Sequence, residues 1–238
     1  MHRVRTAMNN NNDTQNSALK YRGRRTSREK SEQRRRQILE ATMRIIVRDG
    51  VRGVRHRAVA SEAEVPLAAT TYYFKDIHEL IADAFTLYTE WALAYVQRFA
   101  VEFRETARDI REYDMTDPRQ QHQAIERLVT SLSGFSRGKL AEDTRMLISE
   151  QAFRYEVFVE DRVRRLANMH HAALTDAVRE ITMLMGSQMV EEDTAIVMAI
   201  LHSVEYQLLL EEGDSDAPER ILRRYLSMLL PMLVQPEL

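Results

Sequence analysis

Arg55 to Lys75, RHRAVASEAEVPLAATTYYFK, is the stretch whose residue order decides the fold. A short helical pattern from His56 to Ala63 is interrupted at Glu64-Val65, and Pro66 opens a second pattern. Proline is tolerated in a helix's first turn, where its missing N–H would have had no partner. Two helices separated by a tight turn are expected. The second begins with Leu67, Ala68, Ala69, Thr70 and Thr71 and closes on Tyr72, Tyr73, Phe74 and Lys75. Small side chains let a backbone approach base edges in the major groove, where Ala and Thr methyls meet a thymine methyl. Hydroxyls and a lysine at the far end suit phosphates. These residues fit a helix-turn-helix whose second helix enters DNA, and they fit equally an ordinary helical hairpin with a tyrosine-rich surface.

Working outward, Gly50 to Leu80, GVRGVRHRAVASEAEVPLAATTYYFKDIHEL, resembles the N-terminal signature of the TetR family of bacterial transcriptional regulators. That family places an apolar first helix, a glycine, a helix-turn-helix, an aromatic cluster ending in Phe and a charged turn into a long fourth helix, in this order. The matching positions are Gly50, Val59, Ala60, Ala63, Val65, Tyr72, Tyr73, Phe74 and Leu80. The resemblance implies a three-helix DNA-binding domain followed by a larger helical domain for ligand binding and dimerisation. It places Arg57 where a family member reaches a base, a guanine by bidentate contact being the natural choice. Three positions depart from the pattern: Glu64 stands at the turn glycine, Thr71 at a common tyrosine and Ile77 at a common lysine. A non-glycine residue in a left-handed turn costs roughly 1 kcal/mol or more.

The candidate DNA contacts are therefore Arg55, Arg57, Leu67, Ala68, Ala69, Thr71, Tyr72, Tyr73 and Lys75. Arg55, His56 and Arg57 open a helix whose N-terminus already favours an anion. Basic residues there suit phosphate binding better than helix stability. Charge supports one DNA-facing end: Met1 to Lys75 holds 17 Lys and Arg against 7 Asp and Glu, while the remainder holds 17 against 29. A basic N-terminal part supplies the counterion-release term of DNA affinity, and an acidic remainder is repelled from the same polyanion.

With only 7 glycines and 5 prolines among 238 residues, an all-α protein is expected. The absence of cysteine excludes disulfides, thiolate metal sites and cysteine nucleophiles. No uninterrupted apolar run reaches the roughly 18 residues of a membrane helix, and the N-terminus is polar where a signal peptide is apolar. A cytoplasmic protein without a membrane partner is expected. Residues 1–25, with an asparagine run at Asn9 to Asn12 and a basic end in Lys20, Arg22, Arg24 and Arg25, read as a disordered arm. Residues 26–75 form the DNA-binding domain and 76–238 the helical body.

Thr26 with Glu29 reads as a capping box opening the first helix, whose Ile38, Leu39, Thr42, Ile45 and Ile46 make a core face and which Gly50 ends. Arg34, Arg35 and Arg36 spread around this helix, so that one or two face phosphate. Asp76, with Glu79 in capping-box spacing, opens a helix carrying Leu80, Ala84, Phe85, Tyr88, Trp91, Tyr95 and Phe99 and running to about Phe103. In the family such a helix connects the DNA-reading head to the body. A charged break around Asp117-Pro118 precedes a helix over 120–133, and Gly134 to Gly138 is the next break. Further helices are expected over 142–155, 160–185, 192–212 and from Pro218 onward. The last carries Ile221, Leu222, Tyr225, Leu226, Met228, Leu229, Leu230 and Met232 around much of its circumference, which suits pairing with a second copy.

Candidate ligand-lining residues in the body are Trp91, Tyr95, Phe99, Met146, Glu150, Phe153, His170 and Tyr206. Methionine richness beside aromatics suggests an adaptable apolar pocket. Adjacent His170 and His171 point about 100° apart on a helix and cannot face one metal ion, so neither metal nor cofactor is expected. No phosphate loop, nucleophile elbow or metalloprotease motif supports an enzyme built on His170, Glu150 or Asp161. The expected function is a homodimeric repressor released from a palindromic double-stranded DNA operator by a small apolar or amphipathic effector. The alternative keeps the DNA head and makes the body a dimerisation or protein-interaction module without an effector.

Overall fold

The computed structural model describes residues 20–24, 29–142, 147–150, 152, 161–210 and 216–233. Among them lie eight α-helices, one 3-10 turn and no strand. In order they are α1 (Glu29–Asp49), the 3-10 turn Val51–Gly53, α2 (His56–Glu62), α3 (Leu67–Tyr73), α4 (Ile77–Arg111), α5 (Pro118–Glu142), α6 (Asp161–Leu184), α7 (Val190–Leu210) and α8 (Ala217–Leu233). The protein is all-α, as its composition implies. It divides into two compact units, the first comprising the described residues up to Leu93 with those of Ile148–His171, the second those of Ala94–Leu147 and Ala172–Leu238.

In the first unit, Ile38, Leu39, Ile45 and Ile46 of α1 are fully buried with Val59 of α2, Phe74, and Leu80 and Phe85 of α4. Gly50 ends α1 at φ 72°, its N–H donating to the Ile46 carbonyl at 3.0 Å. Asp76 caps α4 by accepting the Glu79 N–H at 2.8 Å, while the Glu79 carboxylate reaches back to the Lys75 N–H at 2.7 Å. Thr26, the other expected cap, lies outside the described residues.

This unit continues past the 75/76 boundary expected from sequence because of Asp83. The Asp83 side chain is fully buried and accepts from Arg162 of α6 at 2.8 Å, from Arg35 of α1 at 3.5 Å, and from the backbone N–H groups of Arg22 and Gly23 at 2.9 and 2.8 Å. A buried carboxylate needs such partners, since desolvation alone costs several kcal/mol per ion. Lys20 to Arg24 is thus pinned to the helices, which corrects the expectation of an arm disordered through residue 25. Arg35 is buried and spent inside, which removes it from a phosphate-facing set, whereas Arg34 is exposed and Arg36 sits in a surface pair with Glu40 at 3.1 Å.

In the second unit, α5 packs on α7 and α8, and α7 on α8. Two expected interruptions are absent. Helix α4 continues to Arg111 because Phe103, Ala107 and Ile110 extend its buried stripe and Arg104 is held by Glu180 of α6 through bonds of 2.7 and 2.8 Å. Helix α5 passes unbroken through Gly134 and Gly138. Gly138 serves close packing: a Cβ there would lie 2.3 Å from the Tyr95 hydroxyl, which donates to the Phe135 carbonyl at 2.7 Å. Arg137 with Glu219 and Arg223 with Glu126 tie α5 to α8 on the outside. Helix α7 is long and apolar enough by composition to cross a membrane. It carries Glu205, buried in an ion pair with Lys139 of α5 at 2.6 Å, as a packed helix of a helical domain does.

Candidate nucleic-acid interface

Helix α2 ends in a Schellman arrangement, with the Val65 N–H donating to the Ala60 carbonyl at 2.9 Å and the Glu64 N–H to Ser61 at 3.2 Å. The residue between them is Glu64, at φ 54°. The left-handed turn is therefore kept without a glycine, and the departure at this position leaves the turn geometry intact at an energetic cost. Pro66 caps α3 at φ −58°, and Leu67 is its first helical residue. A further link fixes α3 to α2: Thr70 donates its hydroxyl to the Leu67 carbonyl at 2.9 Å, so at 3.1 Å it accepts from His56 Nδ1.

These constraints sort α3 into two faces. Thr70, Tyr73 and the following Phe74 are buried, whereas Leu67, Ala68, Thr71 and Tyr72 are exposed and Ala69 is half-buried. Leu67 is 44% and Tyr72 49% exposed, high values for large apolar rings and chains on an otherwise packed unit. Arg55, Arg57 and Lys75 are exposed as well, and none of them joins an ion pair among the described residues. Tyr73 leaves the expected set: its ring is 5% exposed and its hydroxyl bonds Ser31 at 2.6 Å. Three residues after Thr70, it necessarily shares the inward face.

Some other cations of this unit are neutralised internally. Arg44 and Arg48 converge on Glu62 at 2.7 and 3.0 Å, and Arg48 also binds Asp49. Hydrogen bonds from Arg44 and then Arg48 hold the Glu62 carboxyl below its usual range. Sequence reasoning missed Arg24, whose guanidinium sits 4.4 Å from the centroid of the exposed Tyr72 ring. Its place in a strap depends on Asp83, sixty residues away, and no local signal reports that.

The expected ligand-lining set is divided. Tyr95 and Phe99 come together in the second unit, on a cleft of about 700 Å³ between α4 and α5. Its floor is aromatic, with Phe99 and Phe135 centroids 4.2 Å apart, and its rim is polar, with Arg98, Glu102, Glu126, Arg127 and Thr130. No methionine lines it, whereas a smaller apolar cavity in the same unit, about 40 Å³, is lined by Phe103, Leu128, Met185 and Leu226. Trp91 lies in the first unit, half-buried under the Arg36 guanidinium at 6.0 Å. His170 and Glu150 are buried in that unit, His170 edge-on to Tyr88 at 6.1 Å. Tyr206 is 55% exposed on the outer face of α7, because Val204, Glu205 and Leu208 take its inner face. Met146 and Phe153 lie outside the described residues.

No family model matches the chain. It is 40% identical over 70 residues to the HTH-type transcriptional regulator PksA of Bacillus subtilis, a match spanning 29% of this chain and 34% of that regulator's length. Among solved structures, a member of the TetR family from Streptomyces coelicolor A3 superposes with a TM-score of 0.55 at 24% identity, covering 83% of this chain and 98% of that one. The multidrug binding protein EbrR complexed with imidazole gives 0.53 at 22%, covering 86% and 97%. The chain has the fold of the TetR family of transcriptional regulators, with that family's helix-turn-helix at its N-terminal end.

Proposed function

We propose that the chain is a sequence-specific DNA-binding transcriptional regulator, a homodimeric repressor released from a palindromic operator by a small amphipathic ligand. The observation that carries this reading is the exposed face of α3. Leu67, Ala68, Thr71 and Tyr72 leave that face slender at one end and aromatic at the other, and Arg55, Arg57 and Lys75 stand exposed with no carboxylate among the described residues to satisfy them. Such a face suits base edges with phosphates alongside. Arg57 and Thr71 are assigned to bases, and Arg55, Tyr72 and Lys75 to phosphates.

Dimerisation is supported by α7. Its exposed positions Ile196, Ala199, Ser203, Tyr206 and Leu210 recur at alternating spacings of three and four, the pattern of a helix seam. Ile196, Tyr206 and Leu210 are 46%, 55% and 65% exposed, and a second copy would cover them. Tyr206 is thereby assigned to the interface. The cleft on Tyr95, Phe99 and Phe135 supports a flat ligand with a polar or charged group. Such a ligand would release DNA by binding more tightly to the conformation whose heads are wrongly spaced.

The test is selection of duplexes from a random library by the purified protein at near-physiological salt. Recovery of a near-palindrome is expected. Retention without sequence preference would leave only electrostatic binding and sink the reading.

A further inference from the structure

The five residues Lys20 to Arg24 form a strap along the first unit, fastened at every position. The Lys20 carbonyl accepts from Arg162 at 2.8 Å, and Tyr21 donates its hydroxyl to Glu90 at 2.6 Å with its ring 4.2 Å beneath the Arg35 guanidinium. Asp83 takes the N–H groups of Arg22 and Gly23. Gly23 lies flat on Phe74, so that a Cβ there would fall 2.6 Å from the Phe74 ring. The Arg24 N–H then donates to the Tyr73 carbonyl at 2.8 Å. The chain thus runs from Glu90 back toward the start of α4 and ends at the C-terminal end of α3. There Arg24 is exposed, without an ion pair among the described residues, over the exposed ring of Tyr72.

We propose that this strap is part of the DNA-reading head and holds the Arg24 guanidinium as a phosphate contact beside α3. The inference rests on the DNA-binding reading above and adds a residue to it. A guanidinium stacked on an aromatic face keeps its N–H fork turned outward, the geometry that recognises phosphate. A five-residue segment fixed by a buried carboxylate, a buried glycine and a backbone bond delivers it with little entropy left to lose. Because the contact is to phosphate, Arg24 adds affinity on every sequence and discriminates none.

The test uses the full chain, its selected duplex and a scrambled duplex, titrated from about 0.05 to 0.3 M KCl. Arg24→Ala is expected to lower the slope of log K against log salt by about 1 per head, or about 2 for a dimer, equally on both duplexes. Arg24→Lys is expected to keep the slope. Gly23→Ala, which lifts the strap from Phe74, is expected to lose the same slope with Arg24 intact, circular dichroism confirming that the helices remain. An unchanged slope in Arg24→Ala overturns the phosphate contact. A lowered slope in Arg24→Ala with a wild-type slope in Gly23→Ala overturns the role of the strap. Failure of the wild-type protein to retain any duplex would instead defeat the DNA-binding reading itself.

Discussion

Two glycines four residues apart on α5 are expected to respond to the same substitution with opposite sign. At Gly134 an added Cβ meets nothing within 4 Å. Gly134→Ala then gains only helix propensity, about 0.8–1.0 kcal/mol. At Gly138 the Cβ would lie 2.3 Å from the Tyr95 hydroxyl and 3.5 Å from its Cζ, so the hydroxyl must leave the Phe135 carbonyl. A lost buried hydrogen bond costs about 0.5–1.5 kcal/mol and overpacking about 1–3 kcal/mol. Against the same propensity gain, Gly138→Ala is expected to destabilise by about 1–3 kcal/mol. At this chain length 1 kcal/mol moves Tm by about 2–4 °C. Thermal unfolding followed by circular dichroism should therefore show Gly134→Ala melting a few degrees above wild type and Gly138→Ala several degrees below. The decisive background is Tyr95→Phe, which removes the clashing atom and leaves an ordinary contact at Cζ. There Gly138→Ala should become stabilising, giving a coupling of about 2–4 kcal/mol. If Gly138→Ala stabilises the wild-type protein as Gly134→Ala does, the close approach that holds Tyr95 in the cleft is refuted.

Replacing Glu64 by Gly removes a left-handed strain of about 1–2 kcal/mol and adds unfolded-state entropy worth about 0.4–1 kcal/mol. A net rise in Tm of one to a few degrees is expected, and a fall would show that Glu64 is not strained at φ 54°. Arg57→Ala and Thr71→Val should relax base preference in duplex selection, whereas Lys75→Ala should weaken selected and random duplexes alike; equal effects from all three would overturn the base assignments. Glu126 and Glu219 are held below the ordinary carboxylate value of 4.5, by Arg223 and Arg137 respectively. Carboxyls depressed on folding lend stability that is present above that value and lost as pH falls through the folded one. Melting followed from about pH 6 to pH 3 should fall less steeply in the Glu126→Gln, Glu219→Gln double variant than in wild type, and parallel curves would refute the linkage.

What the sequence made legible was local. Pro66, Asp76 with Glu79, and Gly50 act within one turn of their own positions, and each punctuates the chain where expected. Helix interruptions were misjudged where a local signal competes with a distant partner. Gly138 reads as a breaker until Tyr95 is seen to need its missing Cβ, and the charged run after Phe103 reads as fraying until Glu180 is seen to hold Arg104. Direction was harder still. Tyr72 and Tyr73 are neighbours of one residue type, yet one is 49% and the other 5% exposed, because the phase of a seven-residue helix is set by what its other face packs on. The cleft was half legible: a stripe at helical spacing contains Tyr95 and Phe99 but does not say that Trp91, half-buried, belongs to the first unit and they to the second.

Charge shows the same limit in quantitative form. A surplus of ten positive charges from Met1 to Lys75 would imply, for two heads, some twenty phosphates and a salt slope near −18. Folding pairs four of the cations with carboxylates. Arg35 is buried on Asp83 and Glu32, while Arg36 pairs at the surface with Glu40, and Arg44 and Arg48 with Glu62 and Asp49. These pairs hold α1 to α2 and to α4, and a guanidinium already bonded to carboxylate gains little by exchanging it for phosphate. Among the described residues, Lys20, Arg22, Arg24, Lys30, Arg34, Arg52, Arg55, Arg57 and Lys75 remain exposed and outside any ion pair, and Arg24, Arg55, Arg57 and Lys75 are the four assigned to DNA. Four such side chains on each of two heads correspond to a slope of roughly −7. A dimer measured near that value would be reading DNA with those four cations alone. A value of roughly −16, which nine exposed cations on each of two heads would give, would mean that Lys20, Arg22, Lys30, Arg34 and Arg52 reach phosphate as well.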